Sequence, residues 1–314
     1  MLALRVICPA ACTDAVRDLL LAEPGVAHVT VAPGVAVHPP GDLVEAVITR
    51  ESADALLGGL SRLGIDHNGA IMLDTLDTVL SDTADAAQEA APGDPSDAVI
   101  WDDVIARTGE ESRFSISFLV FLTIACLLAA IGVITNSPVT IVGAMVLGPE
   151  FGPLAAVAVG AVLRRGDLVR RGVFALGAGF PLAMATTAVV AMVFDATGLL
   201  STDQLDQLDQ VDFVYEVGPF SLIVALLAGA AGMLSLTSAK SATLVGVFIS
   251  VTTVPAAAFA SVALVEGRFA AAALSAAQLA INLAGIVVAA AAVLMLSRRV
   301  EAARRTGGRK LSAG

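Results

Sequence analysis

Cysteine and histidine are scarce in this chain of 314 residues, which has three of each. An odd and sparse set of cysteines excludes a disulfide framework. We interpret the C-x3-C spacing of Cys8 and Cys12 as two small packing residues at a strand end and a helix start. The P-loop, the nucleophile elbow, the H-E-x-x-H motif and the glycine-rich dinucleotide motif are also missing. We therefore expect no enzymatic activity, no metal and no cofactor.

Positive charge is also in short supply, with 18 Lys and Arg against 29 Asp and Glu and a net charge of −11. This balance argues against a nucleic-acid partner, which needs a basic face. Hydrophobic residues make up 57% of the chain, more than a soluble domain requires. Most of them lie in residues 114–297, which predicts a membrane domain in a lipid bilayer. The opening apolar run is too short for a signal peptide, so we expect a cytoplasmic N-terminus.

Residues 1–75 alternate between strand and helix patterns in the order β-α-β-β-α-β. This order predicts an α+β, ferredoxin-like soluble domain. The fold hosts many functions, including small-ligand sensing, so it assigns none alone. The predicted strands are Leu2–Cys8, Val26–Val31, Leu43–Thr49 and Ala70–Leu73, and the predicted helices are Thr13–Ala22 and Ser52–Leu63.

Residues 76–113 are predicted to form an acidic linker followed by a helix that starts at Ser96 and ends near Arg107. Trp101 favours a position at the membrane surface, where tryptophan is enriched. An ordinary amphipathic helix packed on the soluble domain is the equal alternative.

Six apolar runs follow, each close to the roughly 20 residues that a helix needs to cross the hydrocarbon. They are about Ser115–Thr135, Pro138–Leu163, Val173–Phe194, Phe220–Ser235, Ala242–Val265 and Ala270–Leu296. Arginines follow the second run and fill the basic tail, residues 298–314, whereas the long link after the third run has no Lys or Arg. The positive-inside rule therefore predicts an all-α bundle of about six spans in the inner (plasma) membrane, with both termini cytoplasmic.

A short internal repeat relates the two halves of the bundle. Thr140–Gly143 is echoed by Thr243–Gly246, and proline follows in each half. Three spans per copy would invert the second copy, which gives a 3+3 inverted repeat typical of secondary transporters. Chance similarity between common membrane residues is the alternative.

The second span contains Gly148, Pro149, Glu150, Gly152 and Pro153 within six residues. Prolines and glycines at this density predict an interruption of the helix, either as a broken helix or as a re-entrant hairpin. A carboxyl at this depth is costly, so Glu150 is predicted to be a proton or cation site. The alternative is a neutral glutamate that caps the second half-helix.

Other residues in or beside the spans are candidates for a substrate or ion pathway, namely Asn136, Ser137, Lys240, Thr252, Thr253, Pro255, Gln278 and Asn282. Several of them have a plainer interpretation. The threonines are expected to bond back to their own helix at a softer break before Pro255. Lys240 is interpreted as a charge that sets the membrane topology. Gln278 and Asn282 are interpreted as residues that hold neighbouring helices together by hydrogen bonds.

Two motifs carry a family resemblance. Asn136–Met145 with the following Gly-Pro-x-x-Gly-Pro, and Gly229–Val247, resemble the bacterial and archaeal membrane family called domain of unknown function 389. The resemblance covers about Trp101–Leu296. Family members usually have a hydrophobic residue at the position of Glu150, and often a second proline where Ala256 stands. The resemblance implies a membrane bundle and leaves its activity open.

Together these features predict a transporter or channel-like protein for a small solute or ion, regulated by the cytoplasmic ferredoxin-like domain. The expected partners are the lipid bilayer, a second copy of the chain in a homo-oligomer, and a small molecule on the N-terminal domain. The alternative is a membrane-anchored sensor or scaffold that transports nothing.

Overall fold

The computed structural model describes residues 1–91, 98–199, 219–238 and 245–311. The chain divides into two compact units, the first built around Met1–Asp103 and the second around Val104–Leu236 and the helices that follow.

The first unit contains a four-stranded antiparallel sheet with the strand order β2-β3-β1-β4. Side chains in β1 alternate between the core and the other face, because Leu2, Leu4, Val6 and Cys8 are buried. The four predicted strands and both predicted helices are confirmed, and the β2–β3 hairpin is longer than expected. The elements are β1 Leu2–Cys8, α1 Thr13–Leu21, β2 Val26–Val37, β3 Pro40–Ile48, α2 Arg50–Arg62, α3 Ile65–Asn68 and β4 Ala70–Thr75.

The acidic linker contains a helix that the sequence did not predict, α4, Asp82–Ala90. Its Ala84 and Ala87 are buried. Just before it, the Ser81 hydroxyl lies 3.0 Å from His28 Nε2 on β2. Two alanines make too weak a helical pattern of apolar residues to predict this helix from the sequence. The helix forms because tertiary packing buries both alanines.

Helix α5, Trp101–Glu111, starts in the first unit and ends in the second. Just before it, Ile100 is buried in the core of the first unit. The Arg50 Nε donates to the Ala98 carbonyl at 2.9 Å. The residues before α5 therefore pack in the first unit, whereas α5 from Val104 onward belongs to the second unit.

Within the described residues, four helices of the second unit are long and apolar enough to cross a membrane: Ile116–Ile134, Gly166–Ala196, Phe220–Thr237 and Phe269–Val300. They mark the chain as an integral membrane protein. The predicted spans two and five contain the shorter apolar helices Phe151–Leu163 and Thr253–Val265. The helices of this unit are α6 Ile116–Ile134, α7 Pro138–Met145, α8 Phe151–Leu163, α9 Gly166–Ala196, α10 Pro219–Thr237, α11 Val245–Val265 and α12 Phe269–Leu311.

The chain from α7 to α8 runs back along the whole of α6. Near the end of α6, Gly132 lies against Ile141 of α7. At the other end, Ser115 lines the same cavity as Gly148, which follows α7. The interrupted segment therefore lies at the opposite end of α6 from the α6–α7 turn.

Helix α8 continues in the direction of α7, because α9 runs parallel to α6 and α8 runs antiparallel to α9. Phe114, just before α6, contacts Phe174 of α9, and Phe118 of α6 lies against Gly179 of α9. Between α8 and α9 the contacts are Pro153–Gly172 and Gly160–Val169. The interruption does not reverse the chain, which is the geometry of a broken helix and not of a re-entrant hairpin.

Helix α11 passes through Pro255 without an interruption, so the predicted softer break is wrong. Proline removes one backbone donor from a helix, but close packing of neighbouring helices compensates for this in membrane proteins. Here Ala256, Ala257 and Ala258 are fully buried in the core of the second unit.

Candidate functional site

Glu150 stands at the N-cap position of α8, directly after the interruption between α7 and α8. Its side chain is fully buried. The carboxyl makes no capping hydrogen bond to α8, so the predicted role as a helix cap is not what holds it. A buried carboxyl in an apolar bundle needs another partner.

That partner is Thr253 of α11, whose hydroxyl donates to Glu150 Oε1 at 2.5 Å. Thr253 is also fully buried. Two other buried hydroxyls, Thr187 of α9 and Ser261 of α11, donate to carbonyls of their own helices at 2.8 Å. The expectation that Thr253 bonds back to its helix is wrong, because its hydroxyl joins α11 to the start of α8.

A cavity of about 390 Å³ adjoins the interruption. Gly148 and Pro149 line it on one side. The other side has charged and hydroxyl side chains from the end of α5 and the start of α6: Glu110, Glu111, Arg113, Ser115 and Ser117. These polar groups share the cavity with the segment that precedes Glu150, and the rest of the lining is apolar: Phe118, Phe121 and Phe151.

Gly152 and Pro153 form the buried first turn of α8. A Cβ atom on Gly152 would lie 2.5 Å from the Glu111 Cβ and 2.9 Å from the Glu111 carbonyl oxygen. Only glycine therefore fits between α8 and the end of α5. The first turn of α8 is held by backbone-to-backbone packing, which fixes the position of Glu150.

Asn136 and Ser137 form the α6–α7 turn, at the far end of α6 from the interruption. Asn136 adopts a left-handed conformation, with φ of 47°, and the Ser137 N–H donates to the Gly132 carbonyl at 2.8 Å. The Ser137 hydroxyl accepts from the Thr140 N–H and so caps α7. Both residues have a local structural role, and the structure does not bring them to Glu150.

A second polar cluster joins α10 to α12. Gln278 and Asn282 of α12 are buried. The Gln278 amide donates to the Ser221 hydroxyl of α10 and, at 3.4 Å, to Asn282 Oδ1, while the Ser221 hydroxyl donates to Asn282 Oδ1 at 3.3 Å. Sequence reasoning missed Ser221, because a lone serine at the start of an apolar run carries no signal. These bonds fit the interpretation that Gln278 and Asn282 hold neighbouring helices together.

Two predicted candidates lie outside the described residues, namely Lys240 and the side chain of Thr252. Pro255 lies on α11 two residues after Thr253 and supplies no polar side chain.

The family model described as Domain of unknown function (DUF389) matches residues 145–288. These residues are similar to the DUF389 family, and we call residues 145–288 the DUF389 domain. The match confirms the resemblance to this family over a shorter range than the expected Trp101–Leu296. Comparison with curated proteins and with solved structures gives no match.

The DUF389 domain contains both polar clusters, because Glu150, Thr253, Ser221, Gln278 and Asn282 all fall within the matched residues. The turn residues Asn136 and Ser137 lie before it. The polar side chains that the fold buries in the bundle are therefore concentrated in the family domain.

The chemistry open to the Glu150–Thr253 pair is that of one carboxyl and one hydroxyl in apolar surroundings. Such a pair can hold a proton, or supply two oxygens to a cation that takes its other ligands from backbone carbonyls. Over the described ranges, no three His, Cys, Asp or Glu side chains come together as a metal site.

Proposed function

We propose that the DUF389 domain transports or conducts a small solute or ion, with Glu150 and Thr253 at its core. The observation that carries this proposal is the fully buried Glu150 carboxyl at an interrupted helix, bonded by a hydroxyl of another helix. Ionisable groups buried in membrane bundles are expensive and mark ion pathways and proton relays. The role is non-enzymatic.

The hydrogen bond couples the state of Glu150 to the packing of two helices. A hydroxyl donor stabilises a carboxylate more than a protonated or cation-bound carboxyl. Binding of a proton or cation at Glu150 would therefore weaken its bond to Thr253 and loosen α8 from α11. That change is the kind of switch that alternating access requires.

The cavity beside Gly148 and Pro149 supports a water-accessible route to this pair. Broken helices in transporters expose backbone groups to such cavities. Its lining holds Glu110 and Glu111 against one arginine, Arg113. This excess of negative charge would raise the local concentration of cations.

The architecture that we propose around this site has six spans in a 3+3 inverted repeat, with both termini cytoplasmic. The N-terminal unit would be ferredoxin-like, which its β2-β3-β1-β4 strand order supports, and would regulate the bundle by binding a small molecule or by dimerising. The glycine- and alanine-rich helices favour close packing and a homo-oligomer.

The test is a flux assay in proteoliposomes with imposed proton, sodium and potassium gradients. Glu150→Gln keeps the size of the side chain and removes its charge, and should abolish flux. Thr253→Val removes the hydroxyl and should change the rate by roughly tenfold to a hundredfold, since a hydrogen bond to a charged group contributes roughly 1.5–3 kcal/mol. Thr187→Val is the matched control, because the Thr187 hydroxyl bonds only within its helix.

If Glu150→Gln carries flux at the wild-type rate, the Glu150–Thr253 pair does not lie on the transport pathway. If the wild-type protein carries no flux and Thr253→Val lowers only the melting temperature, the contact is structural. The function would then lie with the N-terminal unit, as a membrane-anchored sensor or scaffold.

A further inference from the structure

A second cavity, of about 460 Å³, opens where α8 ends and α9 begins. Two arginines, Arg164 and Arg170, line it together with the apolar residues Ala161, Val169 and Val173. We call it the arginine cavity. None of its residues belongs to the Glu150–Thr253 site.

The charge of the arginine cavity is uncompensated. The neighbouring Arg165 forms an ion pair with Asp167, and its Nε and Nη2 atoms donate to the two carboxylate oxygens at 3.0 and 3.1 Å. Among the residues that the structure describes, the guanidinium groups of Arg164 and Arg170 have no hydrogen bond and no ion pair. No acidic side chain is among the residues that line the cavity. Two guanidinium groups are therefore available to an anion.

The position of Arg164 is unusual for an arginine. It lies at the end of α8 in the left-handed conformation, with φ of 58°, which glycine adopts without penalty. Gly198 and Gly267 occupy the corresponding positions after α9 and α11. The backbone at Arg164 ends α8, because the Arg165 N–H donates to the Gly160 carbonyl at 2.8 Å. This cap does not use the Arg164 guanidinium group.

The arginine cavity changes from charged to apolar along α9. Arg170 marks its charged end, whereas Val173 and the next residue, Phe174, begin the exposed apolar surface of this helix, with 55% and 60% of their side chains exposed. Helix α9 is long and apolar enough to cross a membrane. The boundary between polar headgroups and acyl chains therefore falls at this cavity.

We propose that the arginine cavity binds an anionic phospholipid. Arg164 and Arg170 pair with the phosphate and the acidic headgroup, since guanidinium groups bind phosphate oxygens in a bidentate manner. Ala161, Val169 and Val173 contact the glycerol and the start of the acyl chains. Basic cavities between membrane helices commonly recognise anionic lipids in this way.

The test is native mass spectrometry of the full-length protein in detergent with phosphatidylglycerol or phosphatidylcholine added. The wild type should bind phosphatidylglycerol at least tenfold more tightly. The double variant Arg164→Gln/Arg170→Gln should bind it about thirtyfold more weakly, because each arginine near a lipid surface contributes about 1 kcal/mol. The control Arg171→Gln/Arg299→Gln removes the same charge from exposed arginines outside the cavity and should bind like the wild type.

A further variant, Ala161→Phe, keeps both arginines and fills the cavity, so it should also lose the lipid while the melting temperature shows that it is folded. Equal loss of binding in the control variant, or none in the cavity variants, would overturn the proposal. Inorganic phosphate alone should not displace the lipid, because it makes no apolar contacts. Displacement by phosphate would identify a site for soluble anions and overturn the lipid assignment.

Discussion

Asp42 joins the β2–β3 hairpin to the start of α1 through two hydrogen bonds. The Thr13 hydroxyl donates to one carboxylate oxygen at 2.6 Å, and the Gly34 N–H donates to the other at 2.8 Å. The bond from Thr13, followed by that from Gly34, holds the pKa of Asp42 below its usual value. A lowered pKa in the folded protein means that the ionised carboxylate stabilises the fold.

We therefore predict that Asp42→Asn lowers the melting temperature of the protein at neutral pH by a few degrees. The stabilisation is present above the unfolded pKa of about 3.9 and is lost as the pH falls through the lowered folded pKa. Thermal unfolding of both proteins over this range checks the prediction. Asp14→Asn, at an exposed carboxyl, serves as control. The prediction is contradicted if the difference in melting temperature between the wild type and Asp42→Asn grows towards acid pH.

Glu150 could be found from the sequence as a buried carboxyl at an interruption, but its partner could not. A threonine in an apolar helix is expected to bond back to its own carbonyls, as Thr187 does. Thr253 bonds to Glu150 because the packing of α11 in the bundle places this threonine beside the start of α8. The two residues are 103 positions apart, and no local pattern carries that pairing.

Glycines allow the close crossing of α10 and α12. A Cβ atom on Gly229 would collide with the Ile286 backbone, and the nearest atoms include its Cα and carbonyl oxygen. Gly285 of α12 lies against Leu222 and Ala225 of α10. Small residues allow membrane helices to approach this closely, and the Ser221–Gln278–Asn282 cluster then falls within hydrogen-bonding distance.

Gly229→Ala should destabilise the membrane unit by about 1–3 kcal/mol, because the backbones must separate to accept one methyl group. The matched control is Gly177→Ala in α9, where a Cβ atom would meet nothing within 4 Å, and we expect a change of no more than about 0.5 kcal/mol. Unfolding in detergent measured by scanning calorimetry gives both values. Equal stability of the two variants would be inconsistent with a close crossing at Gly229.

Elements with strong local patterns were predictable, and elements that depend on packing were not. The alternation in β1 and the interruption after α7 follow from neighbouring residues. Helix α4 was missed because only two alanines face the core. Pro255 suggested a break in α11, yet the buried residues around it keep that helix continuous.

The molecule as a whole combines a sheet-containing unit with a bundle of apolar helices. From the distribution of arginines, the positive-inside rule predicts that the α8–α9 link and the tail are cytoplasmic and that the ends of α9 and α11 lie outside. The same rule predicts a cytoplasmic position for the arginine cavity.

Single-cysteine labelling tests the orientation. In a background with Cys12→Ser, where the native Cys8 and Cys126 are buried, Thr197→Cys and Phe269→Cys should react with a membrane-impermeant maleimide in intact cells. Gly166→Cys, at a position with open space around it, should react only after permeabilisation. Labelling of Gly166→Cys in intact cells would reverse the assigned orientation.

The sequence by itself determined that this is a membrane protein with a small sheet at its N-terminus and an interrupted helix at Glu150. Apolar run length, alternation and the backbone limits of proline and glycine act over a few residues, so a linear pattern shows them. Only the tertiary structure decided the direction of α8, the partner of Glu150 and the arginine cavity. These features depend on contacts between residues that are distant along the chain, and their free energy arises only when the helices pack.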